Sequence, residues 1–188
     1  MRFPSAEDAR TRVLALGAVP ARARRLQHDV LLDTADRRLL ARGTTLRVRA
    51  DGDRAFLTFK GPVVPGVVKV REEIETEAAS ADALLGIAAA LGYEPAFRSE
   101  KYREEFAWPG VVIAVDDTPI GVFVEIEGEE AAIHAFAARL GFSVTDYETA
   151  SYRSLFLTSA LAEHGAGDMV FPTGPDAPLR AARPDPRP

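Results

Sequence analysis

Residues 45–60 read TLRVRADGDRAFLTFK, and this stretch decides the class of fold. Successive side chains of a β-strand point to opposite faces of its sheet. Around a central DGD, Leu46, Val48, Leu57 and Phe59 share one face, and Arg47, Arg49 and Lys60 share the other. Because Asp-Gly is a strong hairpin-turn signal, the stretch predicts an antiparallel hairpin with one apolar and one charged face.

The same alternation recurs along the chain. It predicts seven strands, over residues 25–33, 45–50, 55–60, 68–77, 98–108, 111–116 and 121–127. The charged positions on the later strands are Lys69, Arg71, Glu73 and Glu75, then Lys101 and Arg103, then Asp116, and finally Glu125 and Glu127. Short connections favour antiparallel neighbours, and so many short strands are typical of a sandwich or a barrel.

Three amphipathic segments predict helices, at about 5–16, 80–91 and 129–140. Ser5 and Ser80 can cap the first two, and a glycine follows the last turn of each helix. The helices can cover the apolar face of the sheet, so the predicted class is α+β. We predict one domain over residues 1–171 and a disordered tail over 172–188, where six prolines leave little to bury.

Composition excludes several classes of function. The chain has 188 residues, 47% of them apolar, and no cysteine, which rules out disulfides and thiolate metal sites. A net charge of −5 argues against general binding to nucleic acid. No stretch approaches the roughly 20 apolar residues of a membrane span, and the N-terminus lacks an apolar signal core. We therefore expect a cytoplasmic protein without nucleic-acid or membrane partners.

The charged faces allow two interpretations. In the first, they meet water, and their ion pairs contribute only about 0–1 kcal/mol each. In the second, the sheet closes and the charges face one another in a narrow interior. Cations at i, i+2 spacing suit a phosphate chain lying along a groove. Glu125 and Glu127 beside Asp116 suit ligation of Mg²⁺ or Mn²⁺, which prefer oxygen ligands.

An ordered series of motifs favours the second interpretation. In order along residues 27–128 the chain reads QHDVLLDTADRRLLARGTTLRVR, LTFKGP, VREEIETE, SEKYREEF and VDDTPIGVFVEIEG. This series resembles the CYTH superfamily, the triphosphate tunnel metalloenzymes. The resemblance implies an eight-stranded antiparallel β-tunnel with helices outside, which holds a triphosphate-containing small molecule and a divalent metal.

The resemblance also implies roles for individual residues. The substrate-binding cations would be Arg47, Arg49, Lys60, Lys101 and Arg103, joined by Arg71 on the same charged face. The metal ligands would be Asp116, Glu125 and Glu127, holding Mg²⁺ or Mn²⁺. Glu73 and Glu75 match the acidic pair on the middle strand, and we expect a catalytic role for them in positioning the attacking water.

One departure leaves the activity open. The family signature Glu-x-Glu-x-Lys on the first strand does not occur before the first helix, which leaves two interpretations: the first strand is missing, or its motif lies upstream of a start assigned too late. The leading hypothesis is a metal-dependent hydrolase of tripolyphosphate, thiamine triphosphate or nucleoside triphosphates. The alternatives are a class IV adenylate cyclase that makes cyclic AMP from ATP, and a non-catalytic binder of polyphosphate or nucleotide. The expected assembly is a monomer or a homodimer.

Overall fold

The computed structural model describes residues 1–64, 66–163, 165 and 167–172, and within them one antiparallel sheet of eight strands. The strands are β1 (Arg2–Phe3), β2 (Val19–Asp33), β3 (Thr45–Asp51), β4 (Arg54–Lys60), β5 (Glu73–Ala78), β6 (Glu94–Trp108), β7 (Val111–Thr118) and β8 (Gly121–Gly128). Their order in the sheet is β1-β8-β7-β6-β2-β3-β4-β5. The predicted α+β class is confirmed.

Within the described ranges, six α-helices and a short 3₁₀ turn lie between and after the strands. The helices are α1 (Ala6–Ala15), α2 (Arg38–Ala41), α3 (Ala81–Ala90), α4 (Glu130–Arg139), α5 (Tyr152–Leu157) and α6 (Ala160–Glu163). The three predicted helices are α1, α3 and α4. The side chain of Ser5 accepts a hydrogen bond from Asp8 N, and that of Ser80 accepts one from Ala83 N, as expected of N-caps. No helix in the described ranges has the length and apolarity needed to cross a membrane.

The main hydrophobic core lies between the outer face of the sheet and the helices. Helices α1 and α4 bury one cluster, which includes Val13, Phe106, Ile113 and Phe136. Helix α3 covers a second cluster, around Leu32, Val48 and Ala88. Since helices cover the apolar outer face, the charged residues of the strands occupy the inner face.

A third apolar cluster lies at one end of the inner face. Leu31 and Phe97, which are opposite one another in β2 and β6, pack with Phe156 of α5 and with Met169. Met169 also forms a parallel bridge to Ser99. Helix α5 therefore packs against this end of the inner face, whereas the turn between β3 and β4 lies at the other end.

Two predictions about the strands need correction. The strand predicted over 68–77 begins only at Glu73, because the chain first makes a small excursion: Gly61 N donates to Glu72 O at 2.9 Å, and Val64 bridges to Val70. A short strand precedes the first helix, since Arg2 and Phe3 pair with Phe123 and Val122 of β8. It is two residues long, and the Glu-x-Glu-x-Lys motif is absent from it.

The expected barrel is not closed by hydrogen bonds. Among the described strands, β1 and β5 form the two edges of the sheet and do not pair with each other. The loop before β5 nevertheless reaches the segment after α4, where Lys69 Nζ donates to Thr149 O at 3.2 Å. Of the predicted tail, residues 173–188 lie outside the described part of the chain.

Candidate functional site

Five cations from three strands line the inner face. They are Arg47 and Arg49 of β3, Lys60 of β4, and Lys101 and Arg103 of β6, and none of their side chains is more than 16% exposed. A buried charge is costly unless it is paired. The carboxylates around these cations therefore decide what each cation can still bind.

Asp116 is the most buried of these carboxylates, with no exposed surface. Its oxygens accept from Lys101 Nζ at 2.8 Å, from Arg103 Nε and Nη2 at 2.7 and 2.6 Å, and from the Tyr152 hydroxyl at 2.8 Å. Glu125 also contacts Arg103. Burial alone would raise the pKa of Asp116, but the charges of Lys101 and Arg103 outweigh it and hold that pKa well below its usual range.

Asp29 forms a second buried pair, which the sequence analysis missed. Its oxygens accept from Arg49 Nε at 2.6 Å and from Arg49 Nη2 at 2.7 Å, and Arg47 Nη1 lies 3.8 Å away. Burial opposes ionisation, yet the adjacent Arg49 guanidinium holds the pKa of Asp29 below its ordinary value. A usable signal was present, because Asp29 lies directly opposite Arg49 in neighbouring antiparallel strands.

The edge strand β5 supplies weaker partners. Glu75, 47% exposed, accepts from the Thr58 hydroxyl at 2.7 Å and from Arg47 Nη2 at 3.4 Å. Arg47 Nη2 also donates to the Thr58 hydroxyl oxygen at 3.0 Å. The buried Nε of Arg47 has no acceptor among the described residues. Burial lowers the pKa of Arg47 to about 10, so it remains a cation at neutral pH.

Lys60 lies next to Glu73 of β5, which is 45% exposed. Burial, with the nearby cations Arg47 and Arg71, lowers the pKa of Lys60 to about 7. The charge of Glu127 opposes this lowering of the pKa but does not outweigh it. Arg71 lies on the loop before β5 and not on a strand, and its own pKa is lowered by burial.

Two of the predicted metal ligands, Asp116 and Glu125, meet at the same nitrogen, Arg103 Nη2. Asp116 does not fit a ligand role in this arrangement, because its oxygens already accept four hydrogen bonds. Glu125 contacts Arg103, while Glu127, two residues further along β8, is exposed. In the ranges that the structure describes, no group of three or more Asp, Glu, His or Cys side chains is placed to hold a metal ion. The Mg²⁺ or Mn²⁺ requirement stays a prediction, and no chemical step is derived from it.

The structure thus brings together most of the predicted residues and adds three. The inner face holds two ion-pair networks. Arg47 and Arg49 share Asp29 in one, and Lys101, Arg103, Asp116 and Glu125 form the other. Glu75 contacts Arg47, and Glu73 contacts Lys60. The additions are Asp29, Thr58 and Tyr152. Tyr152 comes from α5, far along the chain, and no strand pattern could have placed its hydroxyl on Asp116.

The fold and the charged inner face together define the class of protein: an antiparallel β-tunnel domain with a cation-lined interior. The chain belongs to the CYTH domain family, whose model matches residues 3–152. The sequence is 29% identical over 105 residues to a candidate adenylate cyclase of Methanocaldococcus jannaschii. That match covers 55% of this chain and 60% of the relative, so the chain spans less than two thirds of the relative's length.

Solved structures share the fold. A candidate adenylate cyclase from Vibrio parahaemolyticus superposes with a TM-score of 0.70 at 21% identity, covering 82% of this chain and 93% of its own. The PH1819 protein of Pyrococcus horikoshii gives a TM-score of 0.69 at 25% identity, covering 80% and 93%. A candidate adenylyl cyclase from Hippeastrum, described with a dominant triphosphatase activity, gives 0.63 at 19% identity, covering 83% and 91%.

Proposed function

We propose that this chain binds the triphosphate group of a small molecule on its cationic inner face and hydrolyses it. The observation that carries the proposal is the Arg47 guanidinium: it is buried and charged, and its Nε has no acceptor in the described part of the chain. An unsatisfied buried donor is costly. A phosphate oxygen is the kind of acceptor that matches an arginine fork.

The neighbouring cations extend this site into one that suits a chain of phosphates. Arg49 precedes the β3–β4 turn, Arg47 is two residues before it on the same face, and Lys60 lies on the adjacent strand. Lys101 and Arg103 come from β6, held by Asp116. The pKa of Lys60 is about 7 in the free site, and a bound triphosphate would favour its protonated form. The five side chains together can then neutralise the charge of the triphosphate and the charge that shifts onto the leaving group during phosphoryl transfer.

The acidic pair of β5 supplies the remaining chemistry. Glu75 is bonded to Thr58 and Arg47 and is half exposed, so it borders both the cations and water. We assign Glu75, with Glu73 two residues away, the role of positioning the attacking water. Mg²⁺ or Mn²⁺ remains the proposed cofactor; the exposed Glu127 would hold it, together with Glu125 if that carboxylate exchanged its contact with Arg103 for the metal. When bound, it would supply charge neutralisation beside the phosphates.

A second candidate is adenylate cyclase. It is supported by the names of the Methanocaldococcus relative and of the Vibrio neighbour, and a cyclase would use the same triphosphate site. The Hippeastrum neighbour, described with a dominant triphosphatase activity, supports hydrolysis as the first choice.

Paired product assays test the proposal. The purified chain is incubated with tripolyphosphate and with ATP, with Mg²⁺, with Mn²⁺ and with EDTA, while orthophosphate and cyclic AMP are measured. Orthophosphate release is the expected result, and cyclic AMP would move the function to a cyclase. Binding of tripolyphosphate by calorimetry without any product would make the chain a binder. Activity that EDTA leaves unchanged would exclude the metal.

A further inference from the structure

Strand β5 forms an exposed edge of the sheet. It pairs with β4 on one side, and no strand in the described part of the chain pairs with its other side. Just before β5, the carbonyl groups of Val70 and Glu72 accept hydrogen bonds from the chain that follows β4, at 2.8 and 2.9 Å. Because backbone groups alternate in direction along an extended chain, those of three other residues point to the unpaired edge: Arg71, Glu73 and Glu75. Such an edge is a template for a further strand.

The side chains along this edge are self-complementary. Residues 69–75, which we call the edge segment, read KVREEIE. Two cations, Lys69 and Arg71, precede Glu72, and two carboxylates, at positions 73 and 75, follow it at the same spacings. Val70 and Ile74 lie equally far from Glu72 and are 54% and 60% exposed. Two copies of the edge segment that run antiparallel would therefore match cation to carboxylate and valine to isoleucine.

The match requires a two-fold axis that passes beside Glu72. In that register three pairs would face one another: Lys69 with the partner's Glu75, Arg71 with the partner's Glu73, and Val70 with the partner's Ile74. The charged pairs lie where the outward backbone groups can exchange hydrogen bonds, so the backbone and side-chain patterns agree. An axis at Ile74 would instead set Glu73 opposite the partner's Glu75, and like charges directly opposite are destabilising.

The cations of the edge segment have no carboxylate partner in the part of the chain that the structure describes. Lys69 Nζ donates to the carbonyl oxygen of Thr149 at 3.2 Å, and neither Lys69 nor Arg71 forms an ion pair with a described residue. Glu73 and Glu75 each contact an intrachain cation, but their side chains are 45% and 47% exposed, which leaves oxygen lone pairs for a second donor. A second copy of the chain can therefore satisfy both sets of charges.

From this match we infer that two copies of the chain associate through the edge segment, which pairs antiparallel with itself and joins the two sheets. Each of the three pairs occurs twice by symmetry, whereas Glu72 meets the partner's Glu72 across the axis. This like-charge contact limits the affinity of the dimer and marks the position of the axis. The dimer also brings the partner's Lys69 to Glu75, at the border of the proposed phosphate site. It does not depend on the proposed function, because none of the pairing contacts requires a bound ligand.

Sedimentation equilibrium of the full chain and three variants tests the interface. Glu72→Gln removes the like-charge contact and should tighten the dimer about threefold, whereas Ile74→Lys disrupts an apolar pair twice and should weaken it about tenfold. Val63→Lys, at a 47% exposed position of the same loop outside the edge segment, should change the dissociation constant by less than about twofold. A chain that stays monomeric at about 1 mM would overturn the inference, and so would a dimer that Ile74→Lys leaves unchanged.

A charge swap at Glu72 locates the axis. Glu72→Lys sets like charges against each other in its own dimer, but in a mixed dimer the new ammonium group meets the partner's Glu72. In an equimolar mixture with the isotope-labelled unchanged chain, native mass spectrometry should therefore show mixed dimers above the statistical half. Asp53→Lys, at an exposed acidic position in the β3–β4 turn, should give the statistical half. A statistical mixture with Glu72→Lys would overturn the proposed register.

Discussion

The two halves of the inner face hold their cations differently. On β6 and β7, Asp116 is fully buried and accepts four hydrogen bonds, so Lys101 and Arg103 are fixed. On β3, β4 and β5, the partners Glu73 and Glu75 are about half exposed, and Arg47 Nε has no acceptor among the residues that the structure describes. In the β6–β7 half, the charged groups already satisfy one another. The other can exchange a carboxylate for a ligand at little cost, because exposed ion pairs are weak.

The largest loss of stability is expected when the buried network of β6 and β7 loses its central carboxylate. Asp116→Asn removes the charged partner of buried Lys101 and leaves buried Arg103 with Glu125 alone, which should lower the free energy of unfolding by about 3–5 kcal/mol. Denaturant unfolding measures it. Asp117→Asn is the matched control: the neighbouring carboxylate pairs with exposed Arg24 and should cost less than about 1 kcal/mol. Similar losses for both variants would contradict the contrast between buried and exposed networks.

The Asp29–Arg49 pair should appear in the pH dependence of stability. The folded pKa of Asp29 lies below the unfolded value, so its stabilisation is present above about pH 4 and is lost as the pH falls through the folded pKa. We expect this carboxylate to account for about 2–3 kcal/mol of the stability lost on acidification from pH 5. Asp29→Asn should therefore flatten the curve of unfolding free energy between pH 5 and 2. An unchanged slope would show that Asp29 is not the titrating group.

The more exposed half is tested at Arg47, whose Nε has no acceptor among the described residues. Arg47→Met keeps an apolar stem and removes the guanidinium, and we expect tripolyphosphate to bind about 10- to 100-fold more weakly, as for one or two charged hydrogen bonds. Calorimetry measures the change. Arg10→Met, which removes an arginine paired with Glu104 at the surface, should change the affinity less than twofold. Full affinity in Arg47→Met would place the phosphates elsewhere.

The smallest effect on stability is expected at the exposed edge. Glu75→Gln should change the free energy of unfolding by less than about 1 kcal/mol. It should nevertheless lower the turnover of tripolyphosphate by about 100-fold, because the water loses the group that positions it. Glu77→Gln, on the same face two residues further along β5 and paired with Arg54, should retain both turnover and stability. Equal turnover in the two variants would remove Glu75 from the mechanism.

Local patterns predicted most of the secondary structure. Hairpin 45–60 forms as expected, with Arg47 opposite Thr58 and Val48 opposite Leu57. The strand over 68–77 was predicted too long because alternation alone cannot reveal the bridge from Val64 to Val70 that takes this segment out of the sheet. The two-residue strand at Arg2 and Phe3 was missed because so short a strand exists only through its pairing with β8.

Alternation along a strand is a local property, so the sequence alone predicted which side chains share the inner face. It indicated Arg47, Arg49, Lys101 and Arg103 as a cationic surface. Which carboxylate each cation meets follows from the three-dimensional fold, because the partners lie 13 to 28 positions apart and come from different strands. The fold also explains why Asp116 accepts four hydrogen bonds and why, among the described residues, Arg47 Nε has no acceptor. These properties depend on burial and distance, which no local pattern contains.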